Sequence, residues 1–168
     1  MKEQIVTMRK QLDALAVLME NLTSEERISR WVRKAHESIL IGRAWLGKVL
    51  KEMGEESPYK KDGRRKRVED IEPASDKAGI TDYPVLPDEW AIDIGNVSYV
   101  EKIDFLREKI GEIAKDLKGM VFVDWFDAPL HYLFFFGEHS YSHLTEARFW
   151  LGYELQRIKE LNEKEIEE

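Results

Sequence analysis

Two octets, Arg43-Ala44-Trp45-Leu46-Gly47-Lys48-Val49-Leu50 and Arg148-Phe149-Trp150-Leu151-Gly152-Tyr153-Glu154-Leu155, share the pattern R-x-W-L-G-x-x-L. Each is embedded in a run whose apolar residues recur every three or four positions. Ile28, Val32, Ala35, Ile39, Leu46 and Leu50 make the first stripe, and Leu144, Ala147, Leu151, Leu155 and Ile158 the second. At about 100° per residue such spacing gathers the apolar groups on one face of a helix, with the arginine and the tryptophan at its edges. A glycine inside a helix costs roughly 1 kcal/mol relative to alanine. Gly47 and Gly152 are therefore expected to mark a close backbone approach or room for a ligand. The plainer reading is two packed helices whose bulky and small residues interlock.

The rest of the chain extends the helical pattern. Ile5, Met8, Leu12, Leu15, Met19 and Leu22 alternate spacings of three and four, a heptad seam that needs a partner. A capping box from Thr23 to Glu26 is expected to start a second helix that stops at Gly54, and so tight a turn predicts an antiparallel hairpin. Val97-Ser98-Tyr99-Val100-Glu101 reads as another staple and capping box, introducing Ile103, Leu106, Ile110, Ile113 and Leu117 before Gly119. The segment from Met120 to Phe136 is strongly aromatic around Pro129, and its pattern leaves strand and helix both open, as buried core or subunit interface. A last helix is expected to begin between Glu138 and Ser142 and to fray through the acidic tail. The fold class is all-α: about four main helices in antiparallel hairpins, one domain over residues 1–168, with a long irregular connection at 54–98 that holds four of the five prolines. Pro87-Asp88-Glu89-Trp90 is a candidate short helical turn within that connection.

Composition narrows the function classes. A formal charge of −7 disfavours general nucleic-acid binding, which needs a wide basic surface. No apolar run reaches membrane-spanning length, and Met1-Lys2-Glu3-Gln4 does not open a signal peptide. With no cysteine there is neither a disulfide framework nor thiolate chemistry, so the cytosol is the expected location.

Phosphate chemistry must then rest on a local patch. Lys60, Lys61, Arg64, Arg65, Lys66 and Arg67 place six basic residues in eight, directly after Ser57-Pro58-Tyr59. Guanidinium forks match phosphate oxygens, and Tyr59 is placed to stack on a base; the plain alternative is a solvated loop balanced by Glu69, Asp70 and Glu72. The spacing is not that of a P-loop. His139 and His143 lie four apart with Glu146 one turn on, a spacing that can hold a metal, though no HExxH pattern is present. No persuasive nucleophile–base pair exists, and no cofactor is expected. Phe149 and Tyr153 point away from the leucine stripe, toward another chain or a ligand.

Leu144-Thr145-Glu146-Ala147-Arg148-Phe149-Trp150 resembles the L-x-E-A-x-x-W helix of the helical hairpin shared by phage anti-CBASS and anti-Thoeris sponge proteins, and His36-Glu37-Ser38-Ile39-Leu40 is similar to the opening of that hairpin's first helix. The resemblance covers residues 31–53 and 140–161, and the chain departs from it by an extra N-terminal helix and a large insertion. It implies a homo-oligomer that binds a cyclic nucleotide immune signal and holds it without cleavage, in the host cytoplasm if phage-encoded. The residues expected to carry this are Arg43 and Arg148 as helix-borne phosphate ligands, Tyr59 as stacking residue, and Lys60, Lys61, Arg64, Arg65 and Arg67 as a closing loop. The alternatives are a helical adaptor without small ligand, and a phosphoester hydrolase using a metal on His139, His143 and Glu146.

Overall fold

A computed structural model of the chain describes residues 1–23, 29–54, 97–123 and 131–167. They form four helices, α1 (Lys2–Thr23), α2 (Arg30–Glu52), α3 (Tyr99–Val123) and α4 (His131–Glu167), with no strand among the described residues. The fold is all-α. One cluster of buried side chains draws on all four helices, from Ile5, Leu12 and Met19 through Ile39 and Leu46 to Ile110, Leu117, Leu144 and Leu151.

Cross-helix contacts fix the directions. Arg9 lies against Gly47 while Asp13 pairs with Arg43, so α1 and α2 run antiparallel. Trp31 stacks on Trp150 and Trp45 on Phe136, which makes α2 antiparallel to α4. Tyr99 bonds Glu154 and Val121 abuts Gly137, which makes α3 antiparallel to α4 as well. The α2–α4 seam is the most extensive and α1–α3 the slightest. Because α2 and α3 are therefore parallel, the end of α2 and the start of α3 sit at opposite ends of the bundle. The 23 residues of α2 span about 34 Å at 1.5 Å per residue, which is the physical reason for a long crossover between them.

The hairpins α1–α2 and α3–α4 are built alike. Buried Ile5, Met8, Leu12, Leu15, Ala16 and Met19 of α1 recur, spacing for spacing, as buried Ile103, Leu106, Ile110, Ile113, Ala114 and Leu117 of α3. Trp45 of the first octet stacks on α4 as Trp150 of the second stacks on α2. An approximate twofold axis crossing the α2–α4 seam relates the two halves. Near it Gly42 lets α4 approach: a Cβ there would lie 3.2 Å from Leu144 Cδ2 and 3.4 Å from the Ser140 carbonyl. The buried Ser140 hydroxyl donates to the Gly42 carbonyl at 2.9 Å.

Three helix boundaries differ from the sequence expectation. The second helix starts at Arg30, with Ser29 as its cap accepting from the Trp31 amide, while Thr23 closes α1; Ser29 wins because its side chain also reaches Glu154 of α4. The fourth helix starts at His131 and takes in Phe134, Phe135 and Phe136, since Leu133, Gly137, Ser140 and Leu144 continue its buried stripe toward the N-terminus. The third helix runs past Gly119 to Val123, and α4 continues to Glu167. The Ser98–Glu101 capping box forms as read. Glu101 accepts from the Ser98 amide at 2.8 Å, and Ser98 Oγ accepts from the Glu101 amide at 3.3 Å. Ile28, Glu26 and the Pro87–Trp90 turn lie outside the described residues.

At the end where α2 and α3 begin, a buried carboxylate ties three helices together. Glu154 accepts from Ser29 Oγ at 2.5 Å, from the Tyr99 hydroxyl at 3.1 Å, and from Arg157 Nε and Nη2 at 3.0 and 2.8 Å. Burial works against its charge, but the hydrogen bonds from Arg157 and Ser29, the Arg157 charge and the Tyr99 hydroxyl outweigh it and hold Glu154 below the ordinary glutamate range.

Candidate functional site

Every helix carries an arginine followed four residues later by a glycine or an aspartate: Arg9 and Asp13, Arg43 and Gly47, Arg107 and Gly111, Arg148 and Gly152. Residues four apart share a helix face, and in each hairpin the two faces interleave. Arg9 crosses to Gly47, its Cζ 3.2 Å from where a Cβ would stand, and Arg43 crosses back to Asp13. Arg107 crosses to Gly152, its Nε 3.6 Å from the Cβ position, and Arg148 crosses back to Gly111, its Nε at 2.8 Å. The octet glycines thus make room for a guanidinium from the neighbouring helix. The close backbone approach expected of them occurs at Gly42 instead.

The two seams differ in charge. Arg43 is neutralised by Asp13 within α1–α2. At the matching place in α3–α4 stands Gly111, and neither Arg107 nor Arg148 makes an ion pair or hydrogen bond among the described residues. Two exposed guanidinium groups are left, each crossing to the glycine one helical turn from the other arginine on the neighbouring helix. On the next row around α4 stand Phe149 and Tyr153, 54% and 42% exposed, with ring centroids 4.7 Å apart and planes at 82°. Tyr153 also stacks on Trp31 of α2, centroids 5.3 Å apart, which leaves Phe149 as the more open ring; forked cations and a ring face suit a group that is both anionic and planar.

Of the residues singled out from sequence, Arg148 belongs to this pair, and Arg43 lies on the other seam with Asp13, so the structure does not bring the two together. Tyr59, Lys60, Lys61, Arg64, Arg65 and Arg67 lie outside the described residues. His139 stacks on Trp45 at 4.6 Å, and His143 Nδ1 lies 3.3 Å from Glu146 Oε2. Among the described residues no group of three possible ligands is arranged to hold a metal. Arg107 went unnoticed in the sequence, although its R-x-x-x-G spacing to Gly111 repeats that of both octets.

Two other surfaces remain, the first continuous with Phe149 and Tyr153 through Trp31 and Trp150. Along α2–α4 the rings are largely stacked on one another, with Lys34 over Trp150 at 4.2 Å and Lys48 over Trp45 at 3.7 Å. Between α1 and α3 a cleft of about 750 Å³ is lined by Glu3, Gln4, Gln11, Lys115 and Asp116 among others, a mixed polar wall without a convergent charge. No described helix is long and apolar enough to cross a membrane. Comparison with protein-family models, curated proteins and solved structures returned no match.

Proposed function

We propose that the protein binds an anionic nucleotide, a cyclic nucleotide immune signal, and sequesters it without cleavage. The observation that carries this reading is the exposed Arg107 and Arg148, which make no ion pair or hydrogen bond among the described residues, with the exposed ring of Phe149 next to Arg148 in the chain. Guanidinium groups stay protonated and make poor bases, so tight binding and absent turnover go together. The resemblance of Leu144–Trp150 to the sponge hairpin supports the same ligand class.

The test is to incubate the protein with cyclic di- and trinucleotides and cyclic ADP-ribose isomers, denature it by heat, and identify the released species by mass spectrometry. Intact ligand is expected, with affinity reduced at least tenfold by Arg107→Ala or Arg148→Ala and unchanged by Arg43→Ala. Failure of the whole panel to bind sinks the proposal. Linear products that vanish with chelator or on replacing His139 and His143 move the reading to the metal enzyme. Replacing Arg64, Arg65 and Arg67 together by glutamate tests whether the basic segment contributes.

In the same reading the working form is a homo-oligomer. Ile41 and Phe135, 44% and 53% exposed on the α2–α4 face, are the apolar surface for a second copy. An adaptor without small ligand is the second reading, and that face is the observation that favours it.

A further inference from the structure

We propose that Asp13 is a built-in counter-anion: the first hairpin holds a second copy of the anion site, closed by the Asp13 carboxylate, so the chain has one open site at Arg107 and Arg148 and one latent site at Arg9 and Arg43. This rests on the anion-binding reading of the second hairpin and adds its stoichiometry and its mode of closure.

The approximate twofold axis supplies an internal comparison. Arg9 and Arg107 occupy matching positions, each lying over the glycine of an octet, and Arg43 and Arg148 match as the arginines that open those octets. Of the four positions compared, two arginines and two partners across the seam, one changes residue type between halves, Asp13 against Gly111. Asp13 accepts a hydrogen bond from Arg43 Nη1 at a partly buried place on the seam. An arginine–carboxylate contact of this kind uses the donor fork that a phosphate oxygen uses, so the carboxylate marks where an anion sits on such an arginine. Where Gly111 replaces it, a Cβ would stand 2.8 Å from Arg148 Nε and 3.0 Å from Cζ. The space taken by the aspartate stem in one hairpin is taken by the arginine itself in the other, and the carboxylate's place is left to a ligand. Two guanidinium groups brought from adjoining helices fit a phosphate-bearing group with more than one anionic oxygen, a pyrophosphate or phosphodiester.

Inorganic pyrophosphate is the probe, titrated calorimetrically into the full chain at low ionic strength, with bound equivalents counted by native mass spectrometry. The parent is expected to take up one equivalent and Asp13→Gly two. Gly111→Asp rebuilds the closed arrangement on Arg148, whose flexible side chain can shift, and should lower affinity at least tenfold. Since glycine weakens a helix, Asp13→Ala is the second opening variant, and circular dichroism verifies folding of each. If both Asp13 variants are folded and still bind one equivalent, the latent site does not exist, while the anion reading of Arg107 and Arg148 stands. If the parent binds nothing and Asp13→Gly binds one, Asp13 is the counter-anion proposed and the reading of the second hairpin fails. No binding by any variant overturns both.

Discussion

Glu154 offers the sharpest test of how the bundle is held, because one side chain joins the starts of α2 and α3 to α4. Its side chain is fully buried, whereas that of Arg157 is 46% exposed, so the arginine left behind by a substitution returns to water at little cost. The Ser29 and Tyr99 bonds are different, since both donors reach a charged acceptor from other helices. Hydrogen bonds to charged groups contribute about 1.5 to 3 kcal/mol each and are not additive within one network. The exposed pair with Arg157 adds a few tenths. Glu154→Ala is therefore expected to destabilise by about 3 kcal/mol, and Glu154→Gln, which keeps shape and part of the bonding, by about half of that. For a chain of this size about 3 kcal/mol lowers the melting temperature by roughly 6 to 12 °C. The pH dependence has a definite sign. Glu154 is held below its ordinary value of 4.5 in the folded state, so its contribution is full above that value, declines as the pH falls below it, and is gone once the pH passes the folded-state value. Melting of the parent and Glu154→Gln, followed by circular dichroism from pH 7 to pH 3, should show a gap that closes below about pH 4.5. A gap absent at pH 7, or one that persists unchanged at pH 3, refutes the clasp. In a double-mutant cycle Ser29→Ala and Glu154→Gln should couple by at least about 1 kcal/mol.

Glycines within helices should respond oppositely according to what faces them. Gly119 has nothing within 4 Å of its Cβ position, so Gly119→Ala should stabilise by about 0.5 to 1 kcal/mol, whereas Gly137→Ala meets Val121 Cγ2 at 2.5 Å and should destabilise by about 1 to 3 kcal/mol; urea midpoints read both. Leu144→Ala, at a site with no exposed surface beside Gly42, should cost about 2 to 5 kcal/mol by the same measurement. Light scattering at micromolar concentration is expected to give a mass above the 19.8 kDa monomer, reduced by Phe135→Asp; a monomeric parent removes the oligomer.

Much of the architecture was legible in the chain because it follows from local rules. Spacings of three and four set the four amphipathic faces, the Ser98–Glu101 box marked a helix start, and the paired octets pointed to two helices of one design. Boundaries escaped where a distant contact decided them. Thr23 and Ser29 can both cap a helix, and only the buried Glu154, 125 residues from Ser29, favours the latter. The aromatic segment gave no period because its apolar side chains serve two purposes, Leu133 entering the core while Phe135 stays exposed. Arg43 and Arg148 look interchangeable in their octets. Their difference is decided by what the facing helix presents, aspartate to one and glycine to the other. The sequence by itself determined that four helices must bury matching stripes, since periodicity and hydrophobic burial act along the chain. Only the tertiary structure decided which cations are neutralised, because electrostatic pairing depends on distance through space and not on separation in sequence.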